Sequence, residues 1–189
     1  MNKGKWNSKV LFPTDSNFAV RFTNVKFSPS KSSGNPMFTI ESEIVYPDNA
    51  EVGEDTYVIA GVNPNPLYLT TQRKNQDGSI DEEGTEQARG YVKELYQKLE
   101  LSVEGIDWDN IDTSKLKGII ALCQISPEIQ EQRKNPTALQ IAEAKKLNKR
   151  PEGDVMKNPI TGKPLIYYKP IIREIFGLAP ADLTANKPY

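Results

Sequence analysis

A single mainly β domain with helices is the fold class this sequence predicts, and three observations predict it. Apolar and polar residues alternate along several short stretches, each bounded by Pro, Gly, Ser or Asn clusters. One central stretch instead repeats its apolar residues at helical spacing. The chain has 189 residues, 37% hydrophobic and 26% charged, which is enough to bury the core of one domain.

The first strand is predicted over residues 17–27 (NFAVRFTNVKF), with Phe18, Val20 and Phe22 on one face and Ala19, Arg21 and Thr23 on the other. Asn24 interrupts that register, and Val25 and Phe27 resume it, so a bulge is expected near Asn24. Residues 28–36 (SPSKSSGNP) read as a loop. A second strand follows over 37–45 (MFTIESEIV), with Phe38, Ile40 and Ile44 inward, and a short third over 55–60 (DTYVIA). Residues 61–84 form a Pro- and charge-rich connection. The helix spans 85–101, where Ala88, Tyr91, Val92, Leu95, Tyr96 and Leu99 make one apolar stripe, and Glu86 suits the dipole of its first turn.

A fourth strand is expected over 115–126 (KLKGIIALCQIS). The long segment 127–163 then carries one helix, 137–148 (TALQIAEAKKLN), and a Pro-, Gly- and Lys-rich loop. The fifth strand, 164–176, places Ile166, Tyr168, Ile172 and Phe176 on its inner face. Leu165, Tyr167, Lys169, Ile171 and Arg173 fall on its outer face, and Pro170 marks an edge or a bulge. Strand, strand, strand, helix, strand, strand is the order of the five-stranded OB-fold barrel, here with a long insertion between strands four and five. Residues 1–178 would make that one domain, with 127–163 its basic insertion and 179–189 a flexible tail.

Composition excludes much chemistry. There is no histidine and one cysteine, Cys123, so a Cys/His zinc site, an internal disulfide and any Ser-His-Asp or Cys-His pair cannot be built. No apolar run approaches the roughly 18 residues of a membrane span, and no signal-peptide stretch follows the basic start, so a cytoplasmic protein is expected. Charge is balanced overall at −1 but segregated. Residues 1–40 carry six bases against one acid, 41–131 seven against nineteen, and 133–173 ten against three. Two basic blocks flanking an acidic middle could meet on one face of a folded domain.

In an OB barrel, the face of strands two and three, with the loops joining one to two and four to five, forms an oligonucleotide groove. Single-strand binding needs cations along the phosphates and aromatic faces for the bases. The cations in position are Arg21, Lys26, Lys31, Lys163, Lys169 and Arg173, and the stackers are Trp6, Tyr57, Tyr68 and Tyr167. Tyr167, Lys169 and Arg173 share one strand face at two-residue multiples. Tyr168 is assigned to the core, and Trp108, flanked by acids, to a hydrophobic edge.

The turn Ser30-Lys31-Ser32-Ser33-Gly34-Asn35-Pro36-Met37 leads into an alternating strand, within residues 21–45. Lys115-Leu116-Lys117-Gly118 enters another strand, and Gly162-Lys163-Pro164 leads to Tyr168 and residues 171–176. In these features the chain resembles the single-stranded DNA-binding proteins encoded by bacteriophages and prophages, in which a SKSGNPM-like turn joins the first two barrel strands. The resemblance implies an OB fold that coats replication or recombination intermediates without catalysis or cofactor. It also implies phage replication or recombination proteins as partners, in the host cytoplasm, and leaves a homo-oligomer open. Many such proteins end in an acidic recruiting tail; this chain ends LTANKPY, so recruitment through such a tail is not expected.

Two other readings use different residues. A magnesium-dependent nuclease would draw on Asp48, Glu51, Glu54, Asp55 or the run Asp81-Glu82-Glu83, with Glu143-Ala144-Lys145 the nearest acid–lysine spacing. A phage module that binds a host protein would present the acidic middle instead.

Overall fold

The computed structural model describes residues 2–13, 17–30, 33–147 and 149–184. In chain order its elements are β1 (Asn2–Lys5), β2 (Asn17–Pro29), β3 (Pro36–Tyr46), β4 (Asn49–Val52), β5 (Asp55–Val58), β6 (Leu67–Thr70), α1 (Glu82–Lys98), β7 (Ile120–Glu131), α2 (Ala138–Lys146), β8 (Ile166–Leu178) and α3 (Ala181–Thr184). The strands make two sheets: a five-stranded one in the order β6-β3-β2-β7-β8 and a three-stranded one in the order β1-β5-β4. The fold is therefore mainly β with helices. Among the described residues no helix is long and apolar enough to cross a membrane.

β2 is the spine of the larger sheet, antiparallel to β3 on one side and β7 on the other. Its inner face works as read: Phe18, Val20 and Phe22 are fully buried, the register slips between Phe22 and Asn24, and Val25 resumes that face. Ala19, read on the other face, is fully buried too, beside a further slip between Ala19 and Val20. Pairing with β3 continues out to Pro29 opposite Pro36, leaving a hairpin loop closed by the Ser30 N–H to Asn35 O bond at 2.8 Å. Gly34 sits in that loop at φ 68°, a conformation a side chain would strain. On β3, Phe38, Ile40 and Ile44 point into the core with β7's Cys123 and Ile125. Trp6, Phe12 and Phe18 continue the core as a chain of rings, with centroids 5.2 and 5.4 Å apart. Phe12 and Phe18, both fully buried, each contribute about 1.5–3 kcal/mol.

The strand following β3 in the larger sheet is not the one expected. Residues 55–58 are extended, but they pair with β4 and run parallel to β1 in the smaller sheet. The strand beside β3 is β6, inside the Pro-rich segment read as a connection. Four residues directly after Asn63-Pro64-Asn65-Pro66 are too few to show a period.

α1 starts earlier than its apolar stripe does, because Asp81 caps it by accepting from the Gly84 N–H at 2.9 Å. Ala88, Val92, Leu95, Tyr96 and Leu99 are buried, whereas Tyr91 is half out in solvent. α1 packs against β6 and β8. Just before β6, Asn65 forms a parallel bridge with Ile171 of β8, and the Asn65 N–H donates to Pro170 O at 2.8 Å. Among the described residues no continuous ladder joins β6 to β8, so the five-stranded sheet does not close.

β7 pairs with β2 only as far as Gln124, then continues with β8 alone through Glu131 opposite Ile166. This two-stranded arm takes in residues 127–131, read from sequence as insertion. Beyond it, residues 132–134, 154–157 and 164–165 lie side by side, through Met156 N–H to Gln132 O (2.7 Å) and Leu165 N–H to Met156 O (2.8 Å). α2 closes the loop between them with a capping box at Thr137 and Gln140, and buries none of its residues. At the other end Ala179 N–H donates to Ile120 O, and α3 lies beside β3. Residues 185–189 of the expected tail are outside the described residues.

Candidate nucleic-acid interface

The outward face of the larger sheet follows from register alone, because residues opposite each other on neighbouring strands share a face. Lys26, Thr39 and Tyr68 stand opposite one another across β2, β3 and β6. Lys26 is exposed and Tyr68 is 58% exposed, so a cation and an open ring share one row. Arg21 also faces outward, but the register sets it opposite Glu43, and the two pair at 3.1 Å with the arginine side chain only 17% exposed. Arg21 is thus paired within the sheet rather than standing free on its face. Glu41 is held by Asn24, whose Nδ2 donates to it at 3.0 Å.

On the other flank, β7 and β8 carry a second outward row. Tyr167, Lys169 and Ile171 lie opposite Gln130, Glu128 and Ser126. Two register slips in this pairing skip one β8 residue each, Phe176 and Arg173. Arg173 nonetheless joins the outward row, since its Nε donates to Ser126 Oγ at 2.8 Å. The alternation that placed Tyr167, Lys169 and Arg173 together is therefore realised.

The slips have a cost for the sequence reading of the inner face: Ile175, not Phe176, enters the core, and Phe176 is left 43% exposed. Ile166 is exposed and Tyr168 only half-buried, because the arm extends past the body of the sheet and both its faces are open. Tyr168 is thus outside the core to which it was assigned. Its N–H donates to Ser8 O at 2.7 Å, which lays the N-terminal segment, with exposed Lys9, alongside β8.

The remaining sequence-selected residues are scattered. Trp6 is half-buried, donates its indole N–H to Val10 O at 3.0 Å and sets its ring at right angles to Phe12. Tyr57 is half-buried in β5, opposite Ala50 of the smaller sheet. Lys163 is exposed at the turn 158–163, which is closed by Asn158 N–H to Lys163 O at 2.8 Å. Lys31 lies outside the described residues. Trp108 covers a hydrophobic edge as expected, with Arg89 and Lys93 over its ring at 5.1 and 5.9 Å.

Sequence reasoning missed a cavity where the arm meets the folded insertion, about 540 Å³ in volume. Ile129, Gln130 and Tyr167 line it from the arm, and Arg133, Lys134 and Arg150 from the insertion. Its walls are tied. Tyr167 donates its O–H to Gln130 Oε1 at 2.6 Å, and Arg133 reaches Glu131 (3.3 Å), Glu152 (3.1 Å) and the Gly153 carbonyl (3.3 Å). Gly153 packs so closely on the Lys134 carbonyl that no Cβ fits. The only signal in the sequence was the basic count of the insertion, which names no position.

Among the described residues no three carboxylate or thiol groups converge to hold a metal ion, and Asp81 of the acidic run is occupied as the α1 cap. Cys123 is buried, and burial pushes its thiol up to about 12. No protein-family model, curated protein or solved structure matches the chain.

Proposed function

We propose that this chain is a non-catalytic single-stranded DNA-binding protein built on an OB-type barrel left open at one seam. The topology supports the fold: the strand order β6-β3-β2-β7-β8, the helix between the third and fourth of these strands in sequence, and the parallel contact of Asn65 with β8 follow the OB arrangement. β1, β4 and β5 are additions to it. The observation that carries the function is the outward row Tyr167, Lys169 and Arg173, running from the sheet into an arm whose Lys134, Lys145, Lys146, Lys149, Arg150, Lys157 and Lys163 are exposed. Rings with neighbouring cations bind bases and phosphates of an unpaired strand with little regard to sequence. The row of Lys26 and Tyr68 extends that surface across the sheet, and coating of replication or recombination intermediates in a phage-infected cytoplasm is the role this surface suits.

The test is substitution on the outward row. Tyr167→Ala weakens binding to a thymidine oligomer by about 1–3 kcal/mol, the worth of one stacked base. Lys169→Ala weakens binding and lowers the slope of log K against log salt by about one. Neither lowers the melting temperature, since the arm lies off the core. Wild-type affinity in both variants would remove the outward row from the interface. A protein partner is the second reading, favoured by Leu139 and Leu147, which stand 69% and 66% exposed on α2.

A further inference from the structure

The cavity under the insertion has a more specific character than the surface around it. Of its charged lining groups, Arg133 is held by Glu131 and Glu152, while Lys134 and Arg150 have no ion-pair partner among the described residues. Three cations against two carboxylates leave a net +1. That is the complement of one phosphodiester, which carries a single negative charge. The ring of Tyr167 is fixed before any ligand arrives, because its O–H is bonded to Gln130 and the Gln130 amide in turn donates to Glu128 at 2.8 Å. A pre-set aromatic wall needs no ordering on binding. The volume, about 540 Å³, lies in the range of small-molecule sites and admits one nucleotide but not a folded segment of chain.

We propose that this cavity takes up one internal nucleotide of the bound strand, its base on Tyr167 and its phosphodiester on Lys134 and Arg150. Gln130 is a positioning residue that holds the ring. The inference rests on the single-strand reading above and goes beyond it: the strand has one fixed anchor in the insertion, while the rest of the surface holds it by charge and loose stacking.

The experiment is photocrosslinking of the full chain to a thymidine oligomer carrying one 5-iodouracil, with the attachment site read by mass spectrometry and affinity read by anisotropy. The expected crosslink is to Tyr167; it persists in Tyr167→Phe, which keeps the ring. It falls about tenfold in the Lys134→Ala/Arg150→Ala variant, whose replaced side chains are exposed and leave melting unchanged. A wild-type chain that binds the oligomer but crosslinks only elsewhere, or a double variant that binds and crosslinks as wild type does, overturns the cavity assignment and leaves strand binding intact. A wild-type chain that binds no oligomer overturns both.

Discussion

Cys123 shows how far a single side chain's setting can be turned into chemistry. It sits on the inner face of β7 among Ile125, Ile175 and Phe18, fully buried, with its thiol pushed up to about 12 by that burial. The thiolate is the reactive species. The native chain is therefore inert to a disulfide reagent at neutral pH and reacts only when denaturant opens the core; rapid reaction of the native chain would place β7 differently.

Tyr96 makes a second residue-scale prediction. Its hydroxyl is buried without a hydrogen-bond partner among the described residues, and burial, then the charge of Asp112, raises it above the ordinary tyrosine value. The unfolded chain loses this proton near pH 10 while the folded chain keeps it. Unfolding thus releases a proton there, so the stability tied to Tyr96 is intact below about pH 10 and is lost as pH rises above it. Tyr96→Phe flattens that alkaline loss and, by removing an unpaired buried hydroxyl, is neutral or stabilising by about 1 kcal/mol at pH 7. Denaturant titrations of both chains at the two pH values check it. Neither effect was visible in the sequence, where Tyr96 was one more apolar position in a helical stripe.

Among the elements, the long ones were legible and the short ones were not. β2 and β3 run 13 and 11 residues, α1 17, and each shows its period over several repeats. β6 has four residues and no period to show, so the sequence put its place in the sheet on residues 55–60 instead. The arm was half legible, for another reason. Its β8 half was read as a strand, with Pro170 at an edge or bulge, but its β7 half was read as insertion from Pro127 onward, because past the core Ile129 stays exposed and shows no buried face. Its packing still makes a sharp demand. Gly153→Ala drives a methyl group into the Lys134 carbonyl. The amides of Lys134 and Met156 then exchange hydrogen faster, while those of Phe18 and Cys123 in the core stay protected, and oligomer affinity drops with the arm. Exchange that rises equally in the core would show that arm and sheet unfold as one unit.

For the whole molecule, the separated charge blocks acquire meaning only through the fold. The N-terminal block reaches β8 where Ser8 accepts from Tyr168, beside Lys9, and the second block follows β8 into the insertion. Arg21 is paired with Glu43 across the sheet, a partner no linear count could supply. Lys134 and Arg150 come together because the insertion folds back on the arm. The outward row on β8 could be read from alternation alone; the cavity could not, because it joins residues far apart in sequence through contacts the local pattern does not encode. The central claim is that this surface holds an unpaired strand. The direct measurement is anisotropy of a labelled thymidine oligomer titrated with the full chain at about 50 and about 300 mM salt, magnesium present. Binding that is clear at the lower salt, falls steeply at the higher and returns the oligomer at full length is the predicted result. No binding at the lower salt, or an oligomer shortened by the protein, would contradict it.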